Sequence, residues 1–296
     1  MGYRADVVAD SIAPDGDRLT TMVVTFPRIV LAEVNTHRAL SRNSASSRAI
    51  PVTKQIRAVL ETPFVPDEFP AYSTGMQPRR FLDEGDHGAA RRDWLAARDS
   101  AVGHACKLLT GDAVPHPGDE DFYDVLAAAV ADPAAPSVAK EIANRLLEPF
   151  MWHTAIISAT DWSNFFGLRC HPDAQRQIRL TAEAMREALA ASTPSASSWG
   201  TWHLPFVTDE ERTGALPATD LARVSAARCA RVSYETHWKE SSVSQDLERY
   251  GRLAGAGHLS PMEHAAVSEP GRFANYSGWR QLRLDIPFES DFAART

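Results

Sequence analysis

The sequence predicts an α+β protein, and three observations carry that reading. Alternating, β-branched residues gather between positions 19 and 31. Helix-period patterns fill the middle of the chain, and a further strand pair returns near the C-terminus. The 296 residues are 44% hydrophobic, enough for a sizeable core, and 23% charged, close to the average of folded soluble proteins. Disorder, collagen and coiled coil are excluded as descriptions of the whole chain. No apolar run approaches the roughly 18–20 residues that span a bilayer, so no membrane association is expected. Met1-Gly2-Tyr3-Arg4-Ala5-Asp6 lacks the apolar stretch of a secretion signal. Cys106, Cys170 and Cys229 cannot all pair with one another and share no C-x-x-C spacing. A cytoplasmic protein with reduced thiols and no structural zinc is therefore expected. A net charge of −7 disfavours nucleic acid as a partner through overall charge.

Taken in order, Leu19–Val24 with Phe26 reads as one strand, and Ile29-Val30-Leu31, after Pro27, as a second. Residues 37–51, rich in Ser, Arg and Asn and ending at Pro51, read as a loop or the start of a short helix; a helix over 52–61 follows. Residues 62–85 hold Pro63, Pro66, Pro70 and Pro78 between Phe64, Phe69 and Tyr72, the composition of a long ordered loop: a lid, or equally a surface excursion. Helices are expected over Asp86–Leu109, where Trp94, Leu95, Val102 and Leu108 keep helical spacing, and over Phe122–Val130 and Ser137–Phe150. Asp173–Ala191 is a strong amphipathic pattern with Pro172 just ahead of it. The run Thr193-Pro194-Ser195-Ala196-Ser197-Ser198 reads as a linker. Ala218–Arg231 and the stretch near Ser244–Ala254 read as helices, and Glu263–Val267 with Gln281–Ile286 as the closing strand pair. There is no internal repeat.

Function is concentrated in one basic stretch. Residues 34–60 contain no Asp or Glu, but hold His37, Arg38, Arg42, Arg48, Lys54 and Arg57. Between the cations stand Ser41, Asn43, Ser44, Ser46 and Ser47, short side chains that let a backbone approach a ligand and donate hydrogen bonds. The arginine fork suits phosphate or carboxylate, so the stretch describes a pocket for a phosphorylated small molecule; the plain alternative is a solvated basic loop. It lacks the aromatic interleaving of a nucleic-acid-binding surface. No G-x-G-x-x-G follows a strand, and neither H-E-x-x-H nor a Cys/His cluster points to a metal.

Spacing refines this. His37, Arg38, Ser41, Asn43, Ser46 and Arg48 fall on the pattern R-H-R-x-x-S-x-N-E-x-S-x-R-Y, and the stretch resembles the signature of the flavin-dependent thymidylate synthases. Thr36, Ser44 and Ala49 stand where that pattern has Arg, Glu and Tyr. Asn164-Phe165-Phe166-Gly167-Leu168-Arg169, followed by Ala174-Gln175 and Ile178, resembles the family's N-F-x-x-L-R … A-Q-x-E-I segment, with Gln177 in place of the acid. Arg145 lies four residues before Pro149, as a phosphate-contacting Arg does in the family. Ala230-Arg231-Val232-Ser233-Tyr234 and Gly257-His258-Leu259-Ser260-Pro261-Met262-Glu263-His264 resemble the family's A-R-V-S-[YF] and G-H-x-[ST]-P-x-E-H segments, which ordinarily precede the arginine signature. The resemblance thus implies a circularly permuted, divergent member: one domain over 1–296, its family core at 20–51, 137–190 and 225–290, with 52–136 as a helical insertion.

The resemblance also implies the rest. The fold would be a central, mainly antiparallel sheet with flanking helices and a helical subdomain. Ser46, Arg48 and Arg145 would hold the phosphate of a pyrimidine deoxynucleotide monophosphate. Arg169 would lie against the pyrimidine ring, favouring ionisation at N3 and enriching C5 in electrons, a fixed cation beside developing charge. His37, Arg38, Asn164, Ser233, His258 and Ser260 would line FAD. The reaction would convert dUMP to dTMP with methylenetetrahydrofolate and NADPH, in a homotetramer whose sites are shared between subunits. Thr36 and Ser44 leave open another pyrimidine nucleotide such as dCMP, or a non-catalytic nucleotide- or flavin-binding relative. Each residue also has a plainer alternative: a surface salt bridge for Arg48, an ion pair at a helix end for Arg169, helix caps for Ser233 and Ser260, and core histidines for His258 and His264. Cys170 beside Arg169 reads as structural.

Overall fold

The chain opens on a strand that its composition conceals. Arg4–Ile12 (β1) carries Asp6 and Asp10, yet pairs antiparallel with Arg18–Pro27 (β2) from Arg4↔Thr25 to Ile12↔Arg18. Asp10 makes this possible, because its carboxylate accepts from Arg18 Nε (2.9 Å) and Nη2 (2.6 Å), Thr20 Oγ1 (2.9 Å) and Ser192 Oγ (2.6 Å). In this computed structural model residues 2–74, 80–111, 117–132, 134–135 and 138–287 are described. The expected positions Pro78 and Ser137 lie outside them.

After Pro27 the chain makes a 3-10 turn at Arg28–Val30 and a short helix at Leu31–Asn35 (α1). The second strand expected at Ile29–Leu31 is therefore absent. Val30 and Val34, four residues apart, are both buried, and three apolar residues alone cannot separate a period of 2 from one of 3.6. Residues 37–51, expected as a loop or helix start, contain the edge strand Ser41–Ser44 (β3). Helices Val52–Glu61 (α2), Glu84–Thr110 (α3), Phe122–Ala131 (α4) and Lys140–Leu147 (α5) then pack Ile56, Val59, Val102, Cys106, Phe122 and Leu147 into a core of their own. Asp83 caps α3 by accepting from the Asp86 amide at 2.9 Å. The described part of the 62–85 loop is tied to this helical layer: the Phe64 amide donates to Phe150 O (2.8 Å), and Trp94 Nε1 donates to Phe64 O (2.9 Å).

Trp152–Ala159 (β4) is buried along nearly its whole length, between β2 and β3, and shows no alternation for that reason. Ser163–Arg169 (α6) and Arg176–Ala191 (α7) follow; α7 starts three residues later than expected. Its Ile178, Ala182 and Met185 pack on Met22, Val24, Phe26 and Ile157. The linker expected at 193–198 is instead part of the sheet: Ser195–Ala196 (β5) pairs parallel with β1, and the Ser197 amide donates to Ile12 O at 2.9 Å. The sheet order is β3-β4-β2-β1-β5, antiparallel except for its last pair.

A smaller sheet closes the molecule. Trp202–His203 (β6), Asp209–Arg212 (α8), Ala218–Ala230 (α9) and Val243–Gly255 (α10) precede the hairpin of Ala266–Phe273 (β7) and Tyr276–Gln281 (β8), giving the order β6-β7-β8. The expected strand pair exists with moved bounds, since Leu282–Asp285 turns into a 3-10 segment. Gly278 has φ +72°, and a Cβ there would lie 2.7 Å from Asp17 Cβ, so the β1–β2 turn can dock only on glycine. Where the sheets meet, Ser11 Oγ, His203, Thr21 Oγ1, Ser158 Oγ and His264 Nδ1 form an unbroken hydrogen-bonded chain of 2.6–2.9 Å steps. Burial pushes both His203 and His264 down to about 3, so the seam is uncharged at neutral pH. No helix among the described residues is long and apolar enough to cross a membrane.

Burial alone would raise Asp10, but the bonds from Arg18, Ser192 and Thr20 outweigh it and hold the carboxyl below its usual value. Its contribution is therefore present above the unfolded value of about 4 and is lost as pH falls through the folded one. Asp10→Asn is expected to cost about 1–3 kcal/mol at pH 7 in denaturant unfolding. The variant should also lose less stability than the parent on acidification, and parallel pH profiles would refute this.

Candidate functional site

The basic stretch folds around one side chain. Asn43, on β3, donates from Nδ2 to Cys229 O at the end of α9 (3.1 Å). Its Oδ1 accepts from Ser233 Oγ (3.2 Å) and Ser260 Oγ (3.4 Å). The Ser46 amide adds a bond to Ser233 O at 3.2 Å. The 3-10 turns at Arg231–Tyr234 and Ser260–Glu263 are thereby fastened to β3. Two cavities adjoin at this junction, of ≈ 360 and ≈ 370 Å³, and Asn43, Ser46, Arg48, Ser233 and Ser260 border both. His258 lies on the first and Arg145 on the second. Six of the residues singled out from sequence (Ser46, Arg48, Arg145, Ser233, His258 and Ser260) thus border one cleft. None of the described residues of the 62–85 loop borders these cavities.

Four further residues shape the cleft and had no assigned role. Arg28 lines it from the turn after β2, and Arg42 from β3. Glu148 sits beneath, its Oε1 accepting from Arg28 Nη2 (3.0 Å), Arg145 Nη1 (3.0 Å) and Ser47 Oγ (2.9 Å). Asn144 on α5 donates to Ser47 O (2.8 Å) and Ile50 O (3.3 Å), fixing the loop that carries Arg48. Arg42 Nη1 donates to Val34 O (3.0 Å) and His37 O (2.7 Å). Arg42 had a signal, as a cation inside the acid-free stretch; Arg28, outside it, had none.

The other singled-out residues form a second patch that does not line this cleft. Arg169, at the end of α6, donates from Nε to His37 Nε2 (2.9 Å) and from Nη2 to Thr36 Oγ1 (3.2 Å). Asn164 hydrogen-bonds His37 from the same helix, and Phe165 meets the imidazole edge-on at 5.0 Å. Arg38 is exposed nearby. Within one chain, then, His37, Arg38, Asn164 and Arg169 do not border the cavities that Arg48 and His258 line, and Thr36 and His37 bind Arg169 onto the α1–β3 turn. Arg42, bonded to the His37 carbonyl and lining the cleft, is the bridge between the patches. An arginine Nε can only donate, so His37 accepts at Nε2 and carries its proton on Nδ1. Burial, then the Arg169 and Arg42 cations, hold His37 below the usual imidazole value. Burial raises the Cys170 thiol, the direction opposite to that of an activated thiolate.

Fold and cleft together define a class: an α+β protein with an arginine-lined cleft suited to a small phosphorylated ligand. The family described as thymidylate synthase complementing protein matches residues 18–195, which include both the arginine signature and the Arg169 segment. The chain belongs to that family, the flavin-dependent thymidylate synthases, and is a methyltransferase-type enzyme of pyrimidine nucleotides. No curated protein sequence matches it. Among solved structures, a UMP/dUMP methylase, PolB, from Streptomyces cacaoi bound with 5-Br UMP superposes with a TM-score of 0.45 at 17% identity, over 64% of this chain and 89% of that one. The same enzyme bound with 5-Br dUMP gives 0.45 and 17%, over 64% and 90%.

His37 should stay neutral, with its proton on Nδ1, at pH values where an exposed imidazole is half charged (about 6.5). Because its folded pKa is depressed, its contribution to stability is lost as pH falls below the unfolded value. Arg169→Ala removes the second depressing cause, so the His37 midpoint should move up in a ¹⁵N–¹H titration. An unmoved midpoint would show that the Arg169 contact does not act on His37.

Proposed function

We propose that this chain catalyses FAD-dependent synthesis of dTMP from dUMP, using methylenetetrahydrofolate and NADPH. The observation that carries this is the convergence on one cleft of Ser46 and Arg48, Arg145, Ser233, and His258 with Ser260, four segments spread over more than two hundred positions. A phosphate monoester needs about two cationic or amide donors, and Arg48 and Arg145, both exposed at the cleft, supply them with the Ser46 hydroxyl. The segment at 230–264 lies beyond the family match, yet Asn43 bonds it to the arginine signature; this supports the rotated order of one 1–296 domain.

The donor set also fits a flavin dinucleotide: hydroxyls at Ser233 and Ser260, an imidazole at His258 and neighbouring guanidiniums suit a pyrophosphate. Bound flavin would supply the hydride and relay the one-carbon unit; the chain's own residues bind, orient and polarise. Arg169 would favour the N3-ionised pyrimidine, raising electron density at C5. Each patch holds part of the phosphate or ring contacts and part of the flavin contacts, which supports sites completed by neighbouring subunits of a homotetramer. Thr36 and Ser44, replacing an arginine and a glutamate, favour a second reading in which the pyrimidine is another one, such as dCMP.

Purified protein should be yellow and should turn over dUMP when given methylenetetrahydrofolate and NADPH. Colourless protein that takes up no added FAD would overturn the proposal, and a thermal shift with dCMP exceeding that with dUMP would select the second reading. Arg48→Ala should weaken dUMP binding about 10- to 100-fold, roughly 1.5–3 kcal/mol, in isothermal titration.

A further inference from the structure

The arginine without a sequence signal lies deep in the cleft wall. Arg28 has 11% of its side chain exposed and lines the Arg48–Arg145 side of the cleft. Its Nη1 donates to His153 Nδ1 at 2.9 Å and, more weakly, to Ala45 O at 3.4 Å; its Nη2 donates to Glu148 Oε1 at 3.0 Å. A guanidinium has five N–H groups. The Nε–H and one Nη2–H are left without a protein partner among the described residues.

The charges around it do not balance. His153 accepts a hydrogen bond but returns no charge, because burial, and then Arg28 itself, pull its pKa down to about 3. The one carboxylate that Arg28 touches is shared with Arg145 and Ser47. Arg42 bonds to carbonyls, and the acid that acts on it, Glu263, is already held by Arg283 at 2.5 Å. Arg48 makes no side-chain ion pair among the described residues. Arginines at 28, 42, 48 and 145 thus face a single cleft above one carboxylate. Guanidiniums that outnumber their counter-charges, with Arg28 and Arg42 partly out of water, are costly until an anion joins them.

We propose that Arg28 is a phosphate-binding residue of this cleft and that Glu148 is its positioning residue, holding the guanidinium so that its free N–H groups reach the anion that Arg48 and Arg145 engage from the rim. The inference rests on the reading that the cleft takes a nucleoside monophosphate. Glu148 fixes Arg28 and Arg145 through a single oxygen, so it sets their spacing as well as their direction. Its presence lowers the net charge of the cleft. A purely electrostatic view therefore has phosphate binding improve when Glu148 is neutralised, whereas positioning has it weaken.

The test is isothermal titration with dUMP, deoxyuridine and inorganic phosphate. Arg28→Gln should weaken dUMP and phosphate about 10- to 100-fold and leave deoxyuridine unchanged. Arg28→Lys should recover part of the loss, through charge without the fork. Glu148→Gln should weaken dUMP despite the added net positive charge, and its effect should be less than additive with Arg28→Gln. If Arg28→Gln does not fold, as judged by its thermal melt, Arg28→Lys carries the test alone: dUMP must weaken while deoxyuridine does not. Equal losses for dUMP and deoxyuridine, or unchanged dUMP binding in Arg28→Gln, overturn the assignment while the proposed function stands. If the parent binds neither dUMP nor phosphate, both fall together.

Discussion

The Asn43 side chain is the constraint on which the cleft depends. One amide closes a strand, the end of a helix and two 3-10 turns onto each other, by donating to Cys229 O and accepting from Ser233 and Ser260. A carboxamide carries a donor and a separate acceptor with two lone pairs on one short stem, and an ionised aspartate would face the Cys229 carbonyl with no proton to give. Behind it the apolar contacts of Ile156, Cys229 and Val232 shield the junction from water. An unmade hydrogen bond at this junction would leave a half-buried polar group unpaired, at a cost. The turns carrying Ser233 and Ser260 are thus joined to the signature loop by polar geometry as well as by the small apolar cluster behind it.

Charge is distributed to the same end. The chain has a net charge of −7, yet Arg28, Arg42, Arg48 and Arg145 gather at one cleft. Elsewhere acids and bases are matched: buried Asp246 accepts from Arg228, Arg249 and Ser241, and Asp10 is bonded on all sides. Burial lowers the pKa of His37, His153 and the two seam histidines, His203 and His264, and neighbouring arginine lowers His37 and His153 further. A cleft lined by arginines keeps its positive charge throughout the neutral range, which suits capture of an ionised phosphate.

Legibility followed the length of the pattern and the range of the contact. The helices at 84–110, 122–131, 176–191 and 218–230 were readable because each shows several turns of periodicity. β1 was not, since Asp6 and Asp10 read as solvent-facing until Arg18, Thr20 and Ser192 supply partners. Nor was β4, where burial on both faces erases alternation and His153, Thr154 and Ser158 dilute the apolar signal. In the site, Ser46, Arg48, Ser233 and Ser260 were readable because their spacing lies within short segments. Arg28 was not, as its role comes from Glu148, 120 positions away.

The same distinction explains why the Arg169 patch stands apart from the cleft. Local spacing assigns Arg169 and Asn164 to one segment, and His37 and Arg38 to another, but it cannot say which cation each imidazole will accept from. In the folded chain a neutral His37 with a free lone pair on Nε2 is the acceptor that Arg169 finds, and Thr36 offers its Oγ1 beside it. An arginine at 36 would offer only donors, and like charge, to the same guanidinium. Threonine therefore lets Arg169 fold back onto the α1–β3 turn. The bond is between a cation and a neutral ring at the partly exposed end of a helix. Among the described residues, two N–H groups of Arg28 in one patch have no protein partner, and Arg169 in the other is bonded to neutral acceptors rather than to a carboxylate.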